Sequence, residues 1–147
     1  MCPSGRKVVY GNQIRRLVKF MNNLEMVKNL YELFALGDAA SLLESLDENI
    51  SWTEAEGFPY GGTYIGHKAV VNNVLKKLAT EWDVYLVVPD EFLDAGNRIV
   101  VLGNYSGTYK RTGKSMNVPF AHVWTIENGK ATKFVQYTDT LKVSEAL

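Results

Sequence analysis

At 147 residues, with 46% hydrophobic, 12% aromatic and 22% charged side chains, the chain has the make-up of one globular domain with a single core. Net charge is zero, yet five basic residues and no acid fall within 1–24, which leaves 11 basic against 16 acidic side chains beyond. That arm lacks the interleaved aromatics of a nucleic-acid surface, and no apolar run reaches the ~20 residues of a membrane helix, so neither partner is expected.

Cys2 is the one cysteine and cannot form an intrachain disulfide; with only His67 and His122 to join it, no metal site is expected, and the expected address is the cytoplasm. Residues 1–23 read as a basic N-terminal extension and 24–147 as the folded domain. Over 24–36, Leu24, Val27, Leu30, Tyr31 and Phe34 recur at three- and four-residue spacing, which predicts an amphipathic helix capped by Asn22 or Asn23 and ended by Gly37. Asp38 then caps a second short helix carrying Leu42, Leu43 and Leu46. Asn49 to Glu54 alternates as a strand, a Gly-rich loop follows, and Val70, Val71, Val74, Leu75 and Leu78 mark a third helix. From Trp82 the period changes to two. Turns at Gly96-Asn97, Thr112-Gly113 and Asn128-Gly129 divide the remainder into four long strands, so helices precede a meander, the pattern of an α+β fold with an antiparallel sheet.

Two-residue turns fix which side chains share a face. At Asn128-Gly129 such a turn sets His122 opposite Val135, Phe120 opposite Tyr137 and Val118 opposite Asp139; at Thr112-Gly113 it sets Gly103 opposite His122 and Tyr105 opposite Phe120. One face then carries Tyr105, Phe120, His122, Trp124, Tyr137 and Asp139, with Gly103 leaving room for a ligand beside His122. The other carries Val100, Leu102, Ala121, Val123, Phe134 and Gln136. A bulge would flip every assignment beyond it. Since both faces are apolar, helices are expected over one and a partner subunit over the other.

The succession Tyr31-Glu32-Leu33-Phe34-Ala35-Leu36-Gly37-Asp38, then Glu56-Gly57-Phe58-Pro59-Tyr60-Gly61-Gly62-Thr63-Tyr64-Ile65-Gly66, then His122-Val123-Trp124-Thr125-Ile126-Glu127-Asn128-Gly129-Lys130 closing on Gln136-Tyr137-Thr138-Asp139-Thr140, resembles SnoaL-like proteins. These belong to the nuclear transport factor 2-like superfamily, with ketosteroid isomerase as a relative. The resemblance covers about residues 24–147. It implies a cone-shaped α+β barrel of cystatin-like type, with the N-terminal helices on the concave face of a curved sheet, a pocket between them, and a homodimer through the convex face. The family includes cyclases, isomerases, dehydratases, epoxide hydrolases and proteins that only bind, and the resemblance calls for no cofactor.

Carried over by position, the isomerase's oxyanion-donating Tyr falls on Leu30, its Asp base on Trp52 and its protonated Asp on His122, while the base of SnoaL-type cyclases falls on Asp139. Asp139 is therefore the expected base and His122 an expected acid, base or donor. Trp52, Tyr105, Phe120, Trp124 and Tyr137 are the expected walls for a small apolar, polyketide-like or steroid-like molecule. Glu54 and Glu56 are expected in water, and His67 at the surface. Two functions stand: a cofactor-independent proton-transfer enzyme of isomerase or cyclase type, and a non-catalytic ligand-binding or dimerisation module.

Overall fold

The structure, a computed structural model, describes residues 21–147; the extension expected over 1–23 lies outside them but for 21–23. α1 (Asn23–Leu36) begins where the Asn22 side chain accepts the Glu25 N–H at 2.8 Å. It ends at Gly37, whose φ of 69° a side chain would resist. Asp38 caps α2 (Ala39–Glu44) through the Ser41 N–H at 3.1 Å. Leu46, expected in that helix, instead opens β1 (Leu46–Glu54), because the Ser45 carbonyl accepts the Ala131 N–H at 3.0 Å and draws the chain into the sheet.

β1 points Ile50, Trp52 and Glu54 inward and pairs with β2 (Gly62–Ile65). The third helix is continuous but not uniform: α3 (His67–Val70) passes through a π-helical turn (Val71–Leu75) into α4 (Lys76–Glu81). β3 (Trp82–Ala95), β4 (Arg98–Tyr109), β5 (Ser115–Glu127) and β6 (Lys130–Thr138) form the expected meander, and α5 (Thr140–Ser144) closes the chain. The sheet order is β2-β1-β6-β5-β4-β3. One pair departs from the antiparallel expectation, since β1 runs parallel to β6 with Trp52 beside Phe134. The intervening helix and meander supply the long connection that a parallel pair needs. Helices cover the concave face, where Val27, Leu30, Ile50, Val74, Ile99 and Val101 lie buried. Among the described residues no helix is long and apolar enough to cross a membrane.

Two register findings decide the site. Asn128 and Gly129 take φ of 50° and 74°, the left-handed pair of a type I′ turn, and Glu127 faces Lys130 as expected. A bulge then intervenes, with Ile126 opposite Ala131 but Trp124 opposite Phe134. The extra residue turns the rest of β6 over, so Phe134 and Gln136 face inward while Val135 and Tyr137 face outward. The β4–β5 loop is also longer than expected, the Tyr109 N–H reaching the Lys114 carbonyl at 2.9 Å. This slips the register by two, placing Gly103 opposite Phe120 and Tyr105 opposite Val118. An even slip preserves the face, so Tyr105, Phe120, His122 and Trp124 stay inward.

Gly103 does not leave room for a ligand. A Cβ there would strike the Val88 carbonyl and lie 2.6 Å from Phe120 Cζ, so the Phe120 ring already fills the gap. Because the obstruction includes backbone, Gly103→Ala is expected to destabilise the fold by about 3 kcal/mol, read from urea unfolding midpoints.

Candidate functional site

Between the helices and the concave sheet lies a cavity of about 60 Å³. Its apolar walls include Leu30 and Phe34 of α1, Val74 and Leu78 of the third helix, Val87 of β3 and Phe58 of the loop after β1. Its polar side chains are Tyr31, Glu54, Tyr85, Tyr105, His122 and Gln136. The Gln136 amide oxygen accepts the Ala55 N–H at 3.1 Å and so fixes the start of that loop. Farther on, Tyr60 donates to the Glu81 carboxylate and accepts the Trp82 indole N–H at 3.0 Å, tying the loop to the end of α4.

Glu54 is the unusual group. Only 4% exposed, it accepts the Trp52 indole N–H through Oε1 at 2.7 Å, and among the described residues its buried Oε2 has no hydrogen-bond partner. Burial among apolar walls raises its pKa from 4.5 to about 7, the Trp52 bond opposing the rise only in part. Desolvation first, then charge on Glu54, pushes the Tyr85 hydroxyl up; Tyr105 is raised in the same way, with Tyr85 also contributing.

His122 is wholly buried, and desolvation holds its pKa well below 6.5, so the ring is neutral. Its Nδ1 meets the Tyr31 hydroxyl at 2.7 Å and its Nε2 meets the Tyr105 hydroxyl. Trp124 donates its indole N–H to the Tyr31 oxygen at 2.9 Å, and Gln136 donates Nε2–H to the Tyr105 oxygen at 3.0 Å. Proton counting follows from these four contacts. Counting the single Gln136 N–H that meets Tyr105, Trp124, Gln136, His122 and the two tyrosines bring five protons to four bonds, so one hydroxyl proton is left over. With the His122 proton on Nε2 the spare donor is Tyr105 O–H; with it on Nδ1 the spare donor is Tyr31 O–H. Both tyrosines line the cavity. The cavity thus presents one free acceptor, Glu54 Oε2, and one free donor hydroxyl within apolar walls.

Of the residues expected from sequence, Trp52, Tyr105, Phe120, His122 and Trp124 are brought together and buried. Phe120 stacks on His122 with centroids 3.9 Å apart, and Trp52 lies edge-on to Trp124 at 5.6 Å. Tyr137 is not among them: the bulge turns it outward and leaves it 59% exposed. Asp139 is exposed beyond the end of β6, where its carboxylate accepts the Lys142 N–H at 3.1 Å and caps α5. Its expected place in the pocket is therefore corrected, since the register that carried it inward does not exist. Glu54, expected in water, is the buried carboxylate; its i, i+2 spacing from Trp52 and Ile50 was the available signal. Tyr31 was legible only as part of an apolar stripe, and Gln136 was assigned to the opposite face. Among the described residues no three His, Cys, Asp or Glu side chains are grouped to hold a metal ion.

The model of the SnoaL-like domain family matches residues 27–134. A comparison with curated proteins gave no match. Among solved structures, an NTF2-like protein of Burkholderia thailandensis is 40% identical, with a TM-score of 0.84 over 86% of this chain and 98% of that one. An NTF2-like protein of Burkholderia pseudomallei is 34% identical, with a TM-score of 0.79 over 86% and 98%. TerC, co-crystallised with polyporic acid, is 30% identical, with a TM-score of 0.77 over 84% and 96%. The buried aromatic cavity under a curved six-stranded sheet and these matches agree: the chain belongs to the SnoaL-like family of NTF2-like folds.

Proposed function

We propose that the protein binds a small, mostly apolar molecule bearing a carbonyl or hydroxyl group and moves a proton on it, with Glu54 as base and a tyrosine hydroxyl, Tyr105 or Tyr31, as hydrogen-bond donor. The observation that carries this reading is the buried Glu54 Oε2, without a partner among the described residues, in an apolar cavity. An orphaned buried carboxyl oxygen costs stability, and its natural complement is a group supplied by a ligand. Near neutral pH a carboxyl with pKa about 7 is divided between base and acid, which suits it to take a proton from carbon and return it elsewhere. The spare tyrosine hydroxyl can donate to the oxygen on which enolate charge develops. That TerC was crystallised with polyporic acid supports an organic ligand of this kind.

This differs from the assignment to Asp139, which caps a helix outside the cavity. The test is deuterium incorporation from D2O next to the carbonyl of butanone, 2-pentanone and 2-hexanone, followed by proton NMR. Exchange is expected to fall in Glu54→Gln and in whichever of Tyr105→Phe and Tyr31→Phe removes the spare donor; exchange that none of these changes affects leaves only the binding function.

The same reading places a second copy on the convex face, where Val100, Leu102, Ala121, Val123, Val135 and Tyr137 lie side by side on adjacent strands, none fully buried. Val123→Lys is expected to convert a dimer to monomers in light scattering, and a monomeric parent protein would remove this part of the reading. A cytoplasmic address completes it.

A further inference from the structure

The inner cavity, about 60 Å³, has room for about four water-sized groups and is well below the roughly 150 Å³ that accepts benzene. A ring cannot be seated wholly beside Glu54. A second space of about 300 Å³ lies against it, bounded by the ends of α1 and α4, the start of α2 and the start of β3. Phe34, Leu42, Leu75, Leu78 and Tyr85 line both, so one layer of side chains stands between them. The walls belonging to the outer space alone include the apolar Leu33, Ala79, Trp82 and Val84, with Asp38 as their one charged side chain.

Two backbone irregularities fall at this boundary. The π-helical turn Val71–Leu75 contains Val74, which faces the inner cavity, and Leu75, which faces both. Such turns inside α-helices concentrate at functional sites. Val84, in the outer wall, has φ of 50°, a left-handed conformation that a β-branched residue strongly resists, and it sits where the β3–β4 register breaks between Asp83 and Leu86.

We propose that the ligand is a head-and-tail molecule, with a compact carbonyl or hydroxyl head in the inner cavity and an apolar tail that parts the Leu75, Leu78 and Tyr85 layer to lie in the outer groove. This rests on the reading that Glu54 and the tyrosine hydroxyl receive the polar group. Inner volume limits the head, and the outer groove, which shares that layer with the cavity and is lined mainly by apolar side chains with the exposed Asp38 carboxylate beside them, selects an apolar rather than an anionic tail.

The test is protein-observed NMR titration with straight-chain 2-alkanones from butanone to 2-undecanone. Burial of each added methylene in the groove is expected to tighten binding about fourfold until the groove is full. Ala79→Trp, at an exposed position that lines the outer groove alone, is expected to flatten that increase, whereas Glu54→Gln leaves the increase and alters the binding of every member equally. Affinity independent of chain length, or an increase untouched by Ala79→Trp, overturns the head-and-tail proposal. If Glu54→Gln still alters binding in that case, the proposed function stands; if it does not, both fall.

Discussion

Glu54→Gln is expected to lower proton transfer by about 10²- to 10⁴-fold, the usual contribution of a positioned general base, while leaving the protein folded. Glutamine retains a carbonyl oxygen for the Trp52 indole N–H, which now lies 2.7 Å from Oε1, so the hydrogen bond that orients the side chain survives. What disappears is the ionisable oxygen. The same change alters stability in a direction opposite to that of an ordinary carboxylate. In the unfolded chain Glu54 releases its proton near 4.5 and in the folded protein near 7, so between those values unfolding releases a proton and stability falls as pH rises. Above pH 7 the full penalty, about 3 kcal/mol, is present in the parent and absent from the glutamine variant. Denaturant unfolding at pH 8 should therefore find Glu54→Gln the more stable protein, a gain in stability accompanying a loss of chemistry.

His122→Leu is expected to destabilise the fold by about 2–5 kcal/mol near neutral pH. The imidazole bridges the Tyr31 and Tyr105 hydroxyls and stacks on Phe120, so leucine removes one partner from each of two buried hydroxyls. The pH dependence changes as well. His122 is held neutral when folded, whereas the unfolded histidine takes a proton below about 6.5, so its contribution is complete above that value and is lost as pH falls. This slope opposes the one from Glu54 just below pH 6.5, so the two offset each other there. Removing His122 exposes the Glu54 slope, with stability falling as pH rises; removing the Glu54 carboxyl exposes the His122 slope, with stability rising. Unfolding free energies of the three proteins at pH 5, 6, 7 and 8 check both signs.

Much of the architecture was legible because it is written in short-range chemistry. Asn22, Gly37 and Asp38 mark helix ends through side-chain acceptance and left-handed backbone, and Asn128-Gly129 marks a tight hairpin. Period two placed Tyr105, Phe120, His122 and Trp124 on one face, and they are inside. The parallel pairing of β1 with β6 was not legible, because nothing local to either strand encodes a partner far away in the chain. Nor was the bulge beyond Thr125, which no glycine or proline announces. That one residue exchanged Tyr137 and Asp139 for Phe134 and Gln136 in the interior. Glu54 was misjudged for a different reason: charge argued for water, while its place in the Ile50, Trp52, Glu54 alternation argued for burial. The alternation prevailed because Trp52 supplies a donor and the carboxyl can keep its proton.

The central claim is that a buried carboxyl in an apolar cavity is poised to exchange a proton near neutral pH. It is tested most directly by the pH titration of the Glu54 side-chain carboxyl carbon in ¹³C-glutamate-labelled protein, assigned by its absence from the Glu54→Gln spectrum. A midpoint near 7 is expected. A midpoint at the ordinary value of about 4.5 would mean that Glu54 is solvated and would contradict the account.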